Sequence, residues 1–182
     1  ANSRQSSGLY LLRNIVKLCE REVAVSVFHA VIQSHIAYGI VLWGNCSLEN
    51  LNRIFRLQKR AMRCVVGLGR TDSCREFFKK LGVLTVPSLF IQQACIYIYT
   101  NRYRLVKNGD FHQYDTRGRR EMCVPPHRTS AYERKPSYVG IKLFQKLPPD
   151  IRGCDTIDNF KKKVKIYLVN LVSYSVEEFL NM

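Results

Sequence analysis

From Leu9 onward, apolar residues recur at intervals of three and four along most of the chain, the spacing of one face of an α-helix rather than the alternation of a strand. Leu9, Leu12, Ile15, Val16 and Cys19 share a face of a first helix, which Ser6 or Ser7 is placed to cap. A second and more apolar stretch runs from about Val23 to Trp43. It is long enough to invite comparison with a membrane span, but His29, Gln33, Ser34 and His35 interrupt it, and polar groups are costly at the centre of a bilayer. A buried core helix, closed at its end by Trp43, is the better reading. His29 and His35 stand off the i,i+4 spacing that brings two imidazoles to one metal, so they read as ordinary hydrogen-bonded histidines.

Gly44-Asn45 breaks the pattern, and Ser47 with Glu49 in the first turn begins a helix that ends near Gly67 and Gly69. Its central segment is RIFRLQKRAMRCVVG, Arg53 to Gly67. Helical spacing gathers Ile54, Leu57, Ala61, Cys64, Val65 and Leu68 into an apolar stripe that packs on Val23 to Trp43. Arg53, Arg56, Lys59, Arg60 and Arg63 fill an adjoining arc, and Phe55, Met62 and Val66 form a smaller apolar patch on the far side. A solvated face explains a basic arc as readily as a binding surface does. A short helix follows over about Ser73 to Leu81, with Gly82 as its stop. Pro87 suits the first turn of a long apolar helix, although CIYIYT alternates as a strand would and periodicity alone does not decide between them.

The texture changes at residue 107. Residues 107 to 137 are polar and carry Gly109, Gly118, Pro125, Pro126 and Pro136 among Arg117, Arg119, Arg120, Arg128, Arg134 and Lys135. They read as a basic loop, linker or irregular subdomain. YVGIKLFQKLP is helical again, and Asp155 or Thr156 caps a helix with Phe160, Val164, Tyr167, Leu168 and Leu171 on its core face. SVEE, Ser175 to Glu178, is a capping box for a last turn or two. The expected architecture is mostly α: a multi-helix bundle over residues 1–106, the loop at 107–137, and a short helical tail at 138–182.

Composition changes this picture in one respect. Among 182 residues, 29 Lys and Arg stand against 14 Asp and Glu, a formal net charge of +15, which favours polyanionic partners and says nothing about fold. The seven cysteines are scattered without a CxxC pair, and Cys19, Cys64 and Cys95 fall in helical patterns, which points to reduced, mostly buried thiols in an intracellular protein. No cluster of carboxylates suited to two divalent cations, no phosphate-binding glycine-rich loop and no GxSxG nucleophile turn is present. Cys123 and His127, with His112 upstream, are the only metal-like spacing and fall one ligand short of a structural zinc site. No catalytic residue, metal ligand or cofactor is therefore assigned. The opening ANSRQSSG lacks Met and any targeting pattern, and reads as a piece of a longer polypeptide.

Six stretches in order, SSGLYLLRNI, SHIAYGIVLWGN, RIFRLQKRAMRCVVG, HQYDTR, VGIKLFQKLPPDIR and FKKKVKIYL, resemble the C-terminal part of a non-LTR (LINE-type) retrotransposon reverse transcriptase of the jockey type. In that family this part follows the catalytic palm and contains the thumb and a downstream region. The resemblance implies a non-catalytic element of an RNA-directed DNA polymerase, in a cytoplasmic ribonucleoprotein and in the nucleus. The palm that holds Mg2+, the fingers and the endonuclease domain are absent from this sequence. Its implied partners are an RNA/DNA hybrid or RNA, and the palm and fingers of the parent polypeptide; no membrane is implied. Arg53, Arg56, Lys59, Arg60 and Arg63 would then contact phosphates of a template-primer duplex irrespective of its sequence. Tyr114, Arg117, Arg119 and Arg120 form a second candidate surface, for unpaired RNA. Lys161 to Lys163 with Lys165 resemble a nuclear import signal but also serve as the wet face of a helix, the reading preferred here. The competing reading is a helical protein-interaction module, with the charge incidental and Phe55, Met62 and Val66 as its docking patch.

Overall fold

The computed structural model describes residues 2–45, 47–110, 114, 118–119 and 121–182, with side chains from Ser7 onward. Among them the chain is helical and contains no strand, only an isolated antiparallel bridge between Lys107 and Met122. The first half runs α1 (Asn2–Leu18), α2 (Arg21–Val27), a π-helical turn (Phe28–Gln33), α3 (Ser34–Ala37), α4 (Ile40–Trp43), α5 (Leu48–Val66), α6 (Arg75–Lys80) and α7 (Val86–Asn101). The second half has α8 (Ser130–Glu133), α9 (Pro136–Lys146), α10 (Pro149–Arg152), α11 (Ile157–Leu171) and α12 (Val176–Leu180). Leu9 and Leu12 of α1 are buried against α5 and the π-helical turn.

The helix expected over Val23 to Trp43 is interrupted twice. Within it the backbone widens to π-helical pairing, and the Ser34 hydroxyl bonds back to the Ala30 carbonyl, a contact that competes with the regular ladder. At Gly39 the chain turns into the left-handed region, φ 63°, which ends α3 and re-aims α4. The indole Nε1 of the half-buried Trp43 donates to the Tyr38 carbonyl at 2.8 Å, on the break itself.

CIYIYT resolves as helix. Thr85 caps α7 by accepting from the Ser88 amide at 3.2 Å, Pro87 lies in the first turn, and the helix is buried on nearly every side from Val86 to Ile91. A helix apolar all round belongs at the centre of a core, and α9, α11, α5 and α4 all pack on α7. The α9 contact is close because Gly140 faces α7: a Cβ there would lie 2.8 Å from Ile98 Cγ1 and 3.3 Å from the Ala94 carbonyl. One continuous core thus draws on both sides of the 107–137 stretch, from Leu9 to Phe179.

The tail follows its sequence signals with one variation. Thr156 caps α11, and Phe160, Val164 and Leu168 are buried while Tyr167 and Leu171 are half-buried. Ser175 accepts from the Glu178 amide at 3.0 Å, but the Glu178 carboxylate reaches past it to the Tyr174 amide at 2.6 Å. Burial opposes ionisation of Glu178, yet that amide and the Arg75 guanidinium together hold its carboxyl below the usual range. Of the cysteines, Cys74, Cys95 and Cys154 are buried and Cys64 half-buried, whereas Cys19 is exposed at the α1–α2 junction, contrary to its helical placement in sequence.

Gln58 is the polar centre of the first half. It is fully buried on α5, its amide nitrogen donates to the Leu84 carbonyl and to Gln33 Oε1, both at 2.9 Å, and its Oε1 accepts from the Val86 amide at 2.9 Å. Gln33 donates to the same Leu84 carbonyl at 3.1 Å. One side chain therefore ties the π-helical turn, α5 and the entry to α7. Gln58→Leu leaves the Val86 amide and Gln33 oxygen without this partner, and the expected loss is about 3 kcal/mol of unfolding free energy. A urea midpoint showing a loss under about 0.5 kcal/mol, the size of an ordinary surface change, would contradict this role.

Candidate nucleic-acid interface

Helix α5 begins at Ser47, whose hydroxyl accepts from the Asn50 amide at 3.4 Å, with Glu49 in its first turn. It closes at Gly67, φ 73°, where the Leu68 amide bonds the Arg63 carbonyl at 2.9 Å and the Gly67 amide the Cys64 carbonyl at 3.4 Å. This is a Schellman arrangement. Between these ends the buried face is Leu51, Phe55, Gln58, Ala61, Met62, Val65 and Val66. Ile54, Leu57, Cys64 and Leu68 are only half-buried, and Cys64 and Leu68 lie beside Arg13 of α1.

This corrects the expected orientation. Phe55, Met62 and Val66 are core residues rather than a leftover patch: Phe55 meets Tyr174 edge-on at 4.9 Å and Phe78 at 6.4 Å. The rotation has a physical cause. Scoring Gln58 as polar removed the centre of the true stripe, which runs from Leu51 through Phe55 and Gln58 to Met62 and Val65. Because its hydrogen bonds are satisfied internally, Gln58 is accommodated like an apolar residue.

The five basic side chains of α5 occupy three environments. Arg53 and Arg56 are exposed on the open face and have no carboxylate partner among the described residues. Lys59 is half-buried, with its Nζ 4.6 Å from the Phe55 ring centroid and 5.4 Å from that of Tyr174, a cation–π position that closes the core edge. Arg60 and Arg63 line a cleft of about 450 Å³ together with Arg13 of α1, Arg70 of the loop after α5, Cys64 and Leu68. Arg63 Nε donates to the Asp72 carbonyl at 2.7 Å, and the Asp72 carboxylate accepts from the Gly69 amide at 2.8 Å, so the 67–72 loop is bonded to its helix. Burial raises the Cys64 thiol pKa, against the opposing pull of Arg13 and Lys17.

Periodicity could not reveal Arg13 and Arg70, which reach the cleft from separate segments. The pairing of Arg75 was likewise hidden: its guanidinium bonds the Val172 carbonyl and Glu178 and lies 4.7 Å from the Tyr174 ring centroid, so it joins α6 to the chain end. In the second candidate surface Arg117 and Arg120 lie outside the described residues. Arg119 and Tyr114 are exposed. The flanks of that stretch are bonded to each other, Asn108 amide to Glu121 carbonyl at 3.0 Å and Gly109 amide to Arg119 carbonyl at 2.9 Å. Cys123 donates to the Val124 carbonyl, and His127 pairs with Glu133 at 2.9 Å and meets Tyr138 edge-on at 4.7 Å. His112 lies outside the described residues. Lys161, Lys162 and Lys165 are exposed on α11, whereas Lys163 is half-buried and its Nζ donates to the Asp150 carbonyl at 3.4 Å. No described helix is long and apolar enough to cross a membrane.

No protein-family model, curated protein or solved structure matches this chain.

The cation–π position and the open face are separable by stability alone. Lys59→Gln loses the cation over two rings and is expected to cost about 0.5–1 kcal/mol, whereas Arg56→Gln stays within about 0.5 kcal/mol of the parent. Urea denaturation of the two variants checks this, and equal effects would contradict the division.

Proposed function

We propose that this chain is a non-catalytic, nucleic-acid-binding region of a non-LTR retrotransposon reverse transcriptase, holding the template-primer duplex through its phosphates. The observation that carries the reading is the open face of α5. Arg53, Arg56 and Arg60 are exposed along one helix with no acidic partner among the described residues, in a chain of net charge +15. Arginines spaced by helical turns on a rigid element contact successive phosphates without reading bases, as a duplex-holding surface requires. The core behind them, through Phe55, Gln58 and Met62, fixes the helix so that little order is lost on binding. The order of the sequence stretches that resemble the jockey type supports the same assignment. In this reading chemistry and Mg2+ belong to a palm supplied by the parent polypeptide, and the bound species is an RNA/DNA hybrid or RNA. The protein-interaction reading loses its motivating patch, since Phe55, Met62 and Val66 are buried.

The test is fluorescence anisotropy of the whole chain with a blunt, unphosphorylated RNA/DNA hybrid across a salt series. Engagement of about three phosphates by Arg53, Arg56 and Arg60 gives a slope of log K against log salt near −2 to −3. Arg53→Gln with Arg56→Gln is expected to reduce the magnitude of that slope by about 2. Weak binding with the same shallow slope in both proteins would overturn the proposal.

A further inference from the structure

The cleft beside the exposed row differs from it in kind. Arg53 and Arg56 form an extended line on one helix, suited to successive charges along a strand. Arg13, Arg60, Arg63 and Arg70 come from α1, α5 and the following loop, and line one open cleft. None of the four has a carboxylate partner among the described residues. The nearby acid, Asp72, uses its carboxylate on the Gly69 amide and its carbonyl on Arg63. Lys17 adds to the positive potential felt by Cys64.

Arg13, Arg60 and Arg70 are exposed and Arg63 half-buried, and guanidinium groups lining one cleft repel one another when no anion is present. The chemistry of the donors selects what relieves that repulsion. Guanidinium forks bind phosphate oxygens in pairs, and several forks lining one cleft favour the anion of highest charge density. A phosphodiester carries a single charge, whereas a phosphate monoester carries about −1.5 to −2 near neutral pH and presents three strong acceptor oxygens. The cleft lies within the 300–1,000 Å³ range of small-ligand sites, and Leu68 supplies an apolar wall.

We propose that the Arg13–Arg60–Arg63–Arg70 cleft is a phosphate-monoester site that adjoins the phosphodiester-tracking row on α5 and shares Arg60 with it. Arg63 is fixed through its Nε to the 67–72 loop, and Arg13 and Arg70 join it in the lining from α1 and from the loop after α5. The strand end of a nucleic acid and a small phosphate ester both carry this group. The site does not require that the row on α5 bind a duplex.

Thermal unfolding is followed with added inorganic phosphate against chloride of equal ionic strength, for the parent chain and for Arg13→Gln with Arg70→Gln. Phosphate is expected to raise the Tm of the parent by several degrees at concentrations well above Kd and to leave the variant unmoved. Without phosphate the variant is expected to be at least as stable as the parent, since it removes like-charge repulsion. Alkylation of Cys64 provides a second readout on the parent alone: phosphate slows it severalfold while exposed Cys19 reacts unchanged. A 5′-phosphorylated oligonucleotide binding about tenfold or more tighter than its 5′-hydroxyl counterpart, a preference the variant lacks, assigns the site to strand ends. Equal binding of the two, with the phosphate shift retained, assigns it to small esters. No phosphate-specific shift and no protection of Cys64, or an equal shift in parent and variant, overturns the site. Arg53→Gln with Arg56→Gln keeps the phosphate response, so failure of the duplex reading and failure of this one are told apart.

Discussion

The arrangement depends on one buried amide. Gln58 is the place where α5, the π-helical turn and the entry to α7 are joined by hydrogen bonds, those to Leu84 and Val86 buried and that to Gln33 partly so. Satisfied polar groups in a core specify orientation more strongly than apolar contact does, because rotating the helix would strand each donor and acceptor. With α5 fixed in this way, Phe55, Met62 and Val65 face inward and the arginines face outward or toward α1. The positive surface is therefore a consequence of the core's hydrogen bonding as well as of the sequence's charge.

The same orientation divides the cations by task. Lys59 and Arg75 both lie over the Tyr174 ring, one from α5 and one from α6, and seal the seam between the first half and the chain end. Arg102 does similar work at the end of α7, 3.8 Å from the centroid of Tyr99, whose hydroxyl donates to the Cys154 carbonyl at 2.6 Å. These cations stabilise the fold through aromatic faces and carbonyls. Arg53 and Arg56, without such partners, remain available to an external anion, and Arg60 is shared between the open row and the cleft.

Much of the fold was legible in the sequence. The mostly helical class followed from the three- and four-residue spacing, and Ser47, Thr156 and Ser175 cap the helices that their positions announce. The break at Gly39 was not legible, since a single glycine in an apolar run is compatible with continuous helix. The rotational setting of α5 was misread because a hydropathy pattern treats glutamine as a surface residue, whereas Gln58 finds its partners in loop carbonyls and amides distant in sequence. The exposed part of the basic arc was recognised from the same segment. The cleft was not, because it is assembled from α1, α5 and a loop, and no local period connects Arg13 to Arg70.

The central claim is that duplex phosphates lie along the outer face of α5. Arginine-selective chemical footprinting of the whole chain, free and saturated with an RNA/DNA hybrid, measures this residue by residue. The account predicts that Arg53, Arg56 and Arg60 lose most of their reactivity on binding while exposed Arg128 and Arg134 keep theirs. Unchanged reactivity at Arg53 and Arg56 in the bound state would contradict it.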